Sequence, residues 1–291
     1  MLTTLNYENM VRKVADTLIR AASSCTNDKV NALSKATEDE IIPQSAWAMT
    51  CLIENAHEAE NSRFPLCDDT GIPHLILETG KELAMPAGLL SAIYEGVALG
   101  LKDLPGRPMA VKGNDKERIE QSAGLSSDPS SLPAAPLMLI STDEKVLRLH
   151  ILMQGGGPEI RAKTYRVFHK HRLETIIDEI SDWASESVKL LGCTPCTLAV
   201  GIGRSHYEAS SLMLQAMLNG NYDVQNDTEH KITESVNKTN VGPLGLHGKH
   251  TVLATFLKTG PQRASGVRIV CMRPCCCIEP RKASCVLIKE S

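Results

Sequence analysis

Cys67 stands two residues after Pro65 and is followed at once by Asp68, Asp69, Thr70 and Gly71. A thiolate here can ligate a metal or a cluster, while the adjacent carboxylates move protons or bind a hydroxyl group. The same run also fits a plain helix-to-strand turn, with Asp-Thr-Gly as turn residues and Cys67 as a small buried hydrophobe. Two further cysteine groups bear on that choice. Cys193 and Cys196 stand at C-x-x-C spacing around Thr194-Pro195, which suits a redox pair or half of a zinc site. Cys275, Cys276 and Cys277 are contiguous, and three consecutive thiols crowd one metal, so a single ligand is expected from them.

Other residues could bind rather than react. Arg107 opens the run Gly-Arg-Pro-Met-Ala-Val, and its guanidinium can fork onto a carboxylate. Gly155, Gly156 and Gly157 close an expected strand, where glycine lets the backbone approach a ligand and present N–H groups to an anion. The triplet lacks the spacing of nucleotide-binding loops. Lys249 lies in a glycine loop between His247 and His250, both expected as solvated loop residues.

These residues must be positioned by regular elements. Apolar residues at Met10, Val11, Val14, Leu18 and Ala21 predict a helix over 7–24, and capping residues predict a second near 28–37. Pro43 suits the first turn of a third, reaching about Asn61. A strand at 73–79 and a helix at 87–101 follow, then a long polar stretch, 105–133, expected as a functional loop or flap. Leu137–Ser141 and Val146–Met153 read as a hairpin across Asp143-Glu144-Lys145. Further on come a helix at 172–190, a buried strand at 197–202, a Met- and Leu-rich helix at 206–219, and a strand after the Lys249 loop. Strands at 267–271 and 285–289 close the chain. The expected fold is α/β, one domain over 1–291 with helices around a mixed sheet and a helical N-terminal layer; no internal repeat is evident.

The bulk numbers exclude several classes. A net charge of -3 with no basic runs argues against nucleic-acid or membrane-surface binding. Aromatics make up only 3% of the chain, so the core must be aliphatic. Met1 to Asn9 lacks the basic and apolar parts of a signal peptide, and no stretch could span a bilayer, so a cytoplasmic location is expected. Ten cysteines in such a long chain then read as reduced thiols or metal ligands rather than a disulfide framework. Each of the three cysteine loops adjoins an expected strand, so they can meet at one rim of a sheet. Three thiolates there can hold a [4Fe–4S] cluster with one iron open to act as a Lewis acid.

Taken in order, the motifs resemble the iron–sulfur hydro-lyases of the class I fumarase and L-tartrate dehydratase family, specifically the alpha subunit or the N-terminal half of fused forms. The family's Pro-x-Cys-Gln-Asp-Thr-Gly is matched by Pro65 to Gly71, its Arg-x-x-Ala-Val by Arg107 to Val111, and its glycine triplet by Gly155–Gly157. Its Cys-Pro-Pro motif aligns with Cys193-Thr194-Pro195 and Gly201-Ile202-Gly203, with Cys196 as the alternative. Its Cys-x-x-x-Arg-Arg fits Cys277 to Arg281-Lys282, with Cys276 as the alternative, and Gly242 to Lys249 match its Gly-Pro-x-Gly-Leu-x-Gly-Lys. The resemblance implies Cys67, Cys193 and Cys277 as ligands of a [4Fe–4S] cluster and Asp69 as a proton-handling carboxylate. It further implies that Asp68, Arg107, Gly156, Gly157 and Lys249 line a pocket for a small hydroxy-dicarboxylate. The family completes its site with a second domain that has no counterpart in this sequence, so a beta-subunit partner and a hetero-oligomer are implied.

Several positions depart from the family pattern. Asp68 replaces a glutamine, Gln154 a lysine, Thr194 a proline, and Phe256 or Leu253 stands where a histidine is usual. Those departures define the alternatives: a catalytically degenerate, partner-binding subunit, or a thiol- or zinc-binding protein using Cys193 and Cys196.

Overall fold

The computed structural model describes residues 6–289; residues 1–5, part of the segment expected to lack signal-peptide character, lie outside them. The chain forms two compact units, one of Met1–Ser24, His57–Gly155 and Arg281–Ser291, the other of Cys25–Ala56 and Gly156–Pro280. Helices and mixed sheets bear out the α/β expectation, with two four-stranded sheets in place of one. Among the described residues no helix is long and apolar enough to cross a membrane.

The first unit is built on α1 (Tyr7–Ser23), whose start is capped by the Asn6 side chain accepting from the Asn9 N–H at 3.1 Å. Its apolar stripe, Met10, Val11, Val14, Leu18 and Ala21, is buried as the spacing predicts. It packs on α4 (Leu89–Asp103) and on one face of a sheet. Gly96 of α4 permits the close approach: a Cβ there would stand 2.6 Å from the Val14 Cβ.

The sheet of this unit contains β1 (Ile72–Gly80), β2 (Met138–Thr142), β3 (Val146–Gln154) and β8 (Arg281–Lys289), in the order β2-β1-β3-β8. The expected hairpin of β2 and β3 is therefore wrong. β1 lies between them, parallel to β2 and antiparallel to β3. The physical reason lies in burial: β1 carries Leu75, Ile76 and Leu77 with at most 1% exposure and needs a neighbour on each side, whereas β2 alternates and suits an edge. The 143–145 connection crosses the end of β1 at Gly80, where any Cβ would strike the Glu144 carbonyl. Within the 105–133 stretch stand α5 (Asp115–Glu120), a Val111–Leu125 bridge and a 3-10 turn at Pro129–Ser131.

In the second unit are α2 (Asn27–Asp39), most of α3 (Pro43–Ser62), a short turn α6 (Gly156–Glu159), α7 (Leu173–Val188), α8 (His206–Asn219) and α9 (Asp227–Asn237). Its sheet holds β4 (Lys163–Phe168), β5 (Cys196–Gly203), β6 (Val252–Thr259) and β7 (Val267–Cys275) in the order β4-β7-β5-β6. β5 is buried along its whole length, and Gly201 is obligatory there because a Cβ would collide with the Ala209 carbonyl and Met213 amide of α8. Sequence reading missed α9 and β4. A capping box, Asn226 with Glu229, marked the start of α9.

The strands repeat one plan. β1 pairs in parallel with β2 and antiparallel with β3, as β5 pairs in parallel with β6 and antiparallel with β7. Each run's fourth strand, β4 or β8, then joins the third strand of the other run, antiparallel. The chain changes sheet at two places, after β3 at Gly155–Gly157 and after β7 at Cys276–Pro280.

Candidate functional site

In the first unit the chain leaves α3 and reaches β1 through the loop that carries Cys67. Leu66, 5% exposed, anchors this loop, its N–H donating to the Ala22 carbonyl at 3.0 Å. Arg281 is 1% exposed, and its Nη1 donates to the carbonyls of Asp69 at 2.8 Å and Thr70 at 3.1 Å. Gly71 takes a φ of +81°, and a Cβ there would stand 2.5 Å from Arg281 Nη2. The buried arginine therefore fixes the loop through its backbone carbonyls. Sequence reading used Arg281 only as part of a motif and missed this role.

The Cys67 thiol donates to Asp68 Oδ1 at 3.4 Å. Burial pushes it above the ordinary thiol range, with Asp68 adding to the shift, while the Asp69 N–H and the Arg281 charge oppose it. Arg107 is exposed, and its Nη1 meets Asp68 Oδ2 at 3.5 Å. Its backbone N–H donates to Thr70 Oγ1 at 2.8 Å, which ties the Arg107 segment to the cysteine loop. Asp68, Asp69, Arg107 and Cys67 are thus gathered within one unit. At the end of β3, Gln154 is 3% exposed, and its Nε2 has no hydrogen-bond partner among the described residues.

The second unit brings Cys193 and Cys277 together. Cys193 comes just before β5 and Cys277 just after β7, and these strands are antiparallel neighbours, so their loops share one end of the sheet. The Cys277 N–H donates to the Cys193 carbonyl at 2.9 Å. Their thiols are also hydrogen-bonded, which, with burial, pushes Cys277 well above the ordinary thiol range. Cys193 is exposed, whereas Cys196 and Cys275 are fully buried within β5 and β7. β7 was expected to end at Cys271 but continues through Cys275, which the ladder pairs with Thr197. The expectation of one rim for all three loops fails, since Cys67 precedes a strand of the other sheet.

Two buried cations adjoin these cysteines. Arg273, 0% exposed, donates to the carboxylate of Glu279, also 0% exposed, and through Nε to Glu159 at 3.2 Å. Its Nη1 lies 3.7 Å from Cys275 Sγ, and the neighbouring carboxylates keep the guanidinium protonated despite burial. Lys29 of α2, 1% exposed, donates from Nζ to the Glu279 carbonyl at 2.6 Å. Nothing in the sequence marked either residue: the Lys29 partner lies 250 positions away, and the Arg273–Glu279 pair shows its role only once both are buried.

Lys249 Nζ meets Asp39 Oδ1 at 3.1 Å and holds that carboxyl below its usual range, while His250 Nε2 lies 3.2 Å from Asp39 Oδ2. His250 is therefore paired rather than merely solvated. Thr194, the departure from proline, has a use: its hydroxyl donates to the Gly242 carbonyl at 2.5 Å, pinning the Lys249 loop beside Cys193. Gly156 and Gly157 are exposed at the start of α6, and a Cβ at Gly157 would meet nothing within 4 Å.

Among the described residues no group of three or more His, Cys, Asp or Glu side chains is arranged to hold a metal ion. The Cys193–Cys277 pair nonetheless has the chemistry of a soft-metal site: two adjacent sulfurs, one exposed and one buried. That donor set fits an iron–sulfur group.

The family model described as Fumarate hydratase (Fumerase) matches residues 11–286. A Methanocaldococcus jannaschii protein provisionally named L(+)-tartrate dehydratase subunit alpha is 27% identical over 263 residues, covering 84% of this chain and 88% of that protein. The L(+)-tartrate dehydratase subunit alpha of Escherichia coli strain K12 is 20% identical over 284 residues, 94% of this chain and 91% of its own. The protein of the same name from Shigella boydii serotype 4 matches equally.

Proposed function

This chain belongs to the fumarate hydratase (fumerase) family, and from that premise we propose that it is the alpha-type subunit of a [4Fe–4S] hydro-lyase acting on a small hydroxy-dicarboxylate of the tartrate or malate kind. The observation that carries this reading is the pairing of Cys193 with Cys277 where β5 begins and β7 ends. Cys67, Cys193 and Cys277 would hold the cluster. Exposure of Cys193 against complete burial of Cys196 supports the first over the second. The Cys193 contact likewise supports Cys277 over Cys276. When bound, a cluster with one iron free of protein ligands supplies a Lewis acid for the carboxylate and departing hydroxyl.

The chain's own residues bind and move protons. Asp69, whose backbone carbonyl Arg281 holds, would be the proton-handling carboxylate. Arg107 binds one substrate carboxylate through two parallel hydrogen bonds, and for this it must leave Asp68. Asp68 thus tunes affinity rather than contributing binding energy. Gly156 and Gly157, both exposed residues, and Lys249 would contribute donors for the second carboxylate. The relatives' designation as subunit alpha supports a beta subunit as partner.

Anaerobic co-purification with the beta subunit, followed by iron and sulfide assay, tests this. About four of each per chain, lost in Cys67→Ala, Cys193→Ala and Cys277→Ala but retained in Cys196→Ala, is expected. A second reading, a subunit that keeps the fold and partner without turnover, is favoured by the Arg107–Asp68 pairing. A stable iron-free complex, inactive on L-tartrate and malate, would select it.

A further inference from the structure

Lys29 presents a physical problem of its own. It is 1% exposed, and its Nζ donates to a backbone carbonyl, that of Glu279. Among the described residues no carboxylate stands within ion-pair distance of it: Glu279 turns its carboxylate to Arg273. An ammonium taken out of water without an anion is costly, so natural proteins seldom bury one unpaired. That hydrogen bond holds the ammonium against the Cys276–Pro280 loop, two residues along the chain from Cys277.

We propose that Lys29 is the counter-charge of the cysteine centre: a buried ammonium whose anion is the thiolate-held cluster that Cys277 helps to bind. The inference rests on the cluster reading above. Three thiolates around a [4Fe–4S] group leave a net negative charge, which a fixed neighbouring cation stabilises. Lys29 is a positioning residue in two senses. Its hydrogen bond to Glu279 fixes the Cys276–Pro280 loop, and its charge sets how readily the cluster gives up an electron. Removing the charge should make oxidation easier and the cluster shorter-lived in air.

The test uses the complete complex with its beta subunit, purified without oxygen, as wild type and as Lys29→Gln, Lys29→Met and Lys29→Arg. Redox titration followed by electron paramagnetic resonance gives the reduction potential, and decay of the absorbance near 400 nm (an approximate wavelength for iron–sulfur charge transfer) in air gives cluster lifetime. Lys29→Gln, which can keep the hydrogen bond to Glu279, is expected to lower the potential and speed decay about tenfold. Lys29→Met should do the same, and Lys29→Arg should stay within about twofold of wild type. Circular dichroism identifies any variant that misfolds, in which case the other neutral variant supplies the comparison. Wild-type potential and lifetime in a folded neutral variant overturn the proposal and leave the cluster reading intact. A wild-type complex without iron overturns the cluster reading itself, and this proposal with it.

Discussion

The strands β1–β4 and β5–β8 follow the same plan, yet their connections carry different chemistry. In both runs a cysteine comes just before the first, central strand: Cys67 before β1 and Cys193 before β5. In both, the chain changes sheet after the third strand, once through Gly155–Gly157 and once through Cys276–Pro280. The first run surrounds its thiol with carboxylates and arginine, and Arg281 holds the loop by its backbone carbonyls. The second gathers thiols and holds their loop by buried charges, Arg273 with Glu279 and Lys29 on a carbonyl. Equivalent places in a sheet plan therefore fix where a functional loop emerges, while the buried charge behind it fixes what that loop can do.

The largest expected effect tests the scaffold of the second run. Gly201→Ala drives a methyl group into the α8 backbone and should cost about 3 kcal/mol or more, seen as a lower urea midpoint. Its counterpart in the first run is Arg281→Met, which strips the Asp69 and Thr70 carbonyls of their buried donor. A loss of about 2–3 kcal/mol is expected, together with loss of Cys67-dependent iron. If iron binding survives, the backbone clamp is not what prepares the Cys67 loop.

A smaller effect sharpens the binding side of the comparison. Asp68→Gln releases Arg107, so KM for L-tartrate or malate should fall by up to about fivefold, the range of an exposed ion pair. An unchanged KM would remove Arg107 from the substrate pocket. Next comes a pH effect in the first unit. His150, on β3, hydrogen-bonds Ser284 at 2.6 Å, and burial lowers its affinity for a proton despite Glu78. The unfolded chain therefore binds the proton first as pH drops below about 6.5. Stability should be complete above that value and decline below it, and His150→Gln should flatten the decline in urea titrations at a series of pH values. The smallest effect is Gly157→Ala, expected within about 0.5 kcal/mol of wild type because open space surrounds the position. A large loss there would show that the triplet is sterically confined.

How far the chain could be read without coordinates differs from element to element. The α1 stripe and the start of α3 at Pro43 were plain, because helix periodicity and capping are local signals. The C-terminal bound of β7 was not, since Cys275 looks like a loop residue until Thr197 is seen opposite it. The β2–β3 hairpin failed for the same reason: a three-residue connection suggests pairing, but the more apolar β1 takes the place between them. Of the candidate site, the motif cysteines, Arg107 and Lys249 could be named from spacing and resemblance, and so could Asp69. Lys29, Arg273 and Glu279 could not.

The sequence by itself determined most of the helices, the approximate places of most strands, and the family, since periodicity, capping and ordered motifs need only neighbouring residues. Tertiary structure decided which strands pair, that Cys277 rather than Cys196 stands with Cys193, and that buried charges lie behind the thiols. Those outcomes depend on burial and on partners as much as 250 positions apart, as Lys29 is from Glu279. The cost of burying a charge is set only when the whole chain has closed around it.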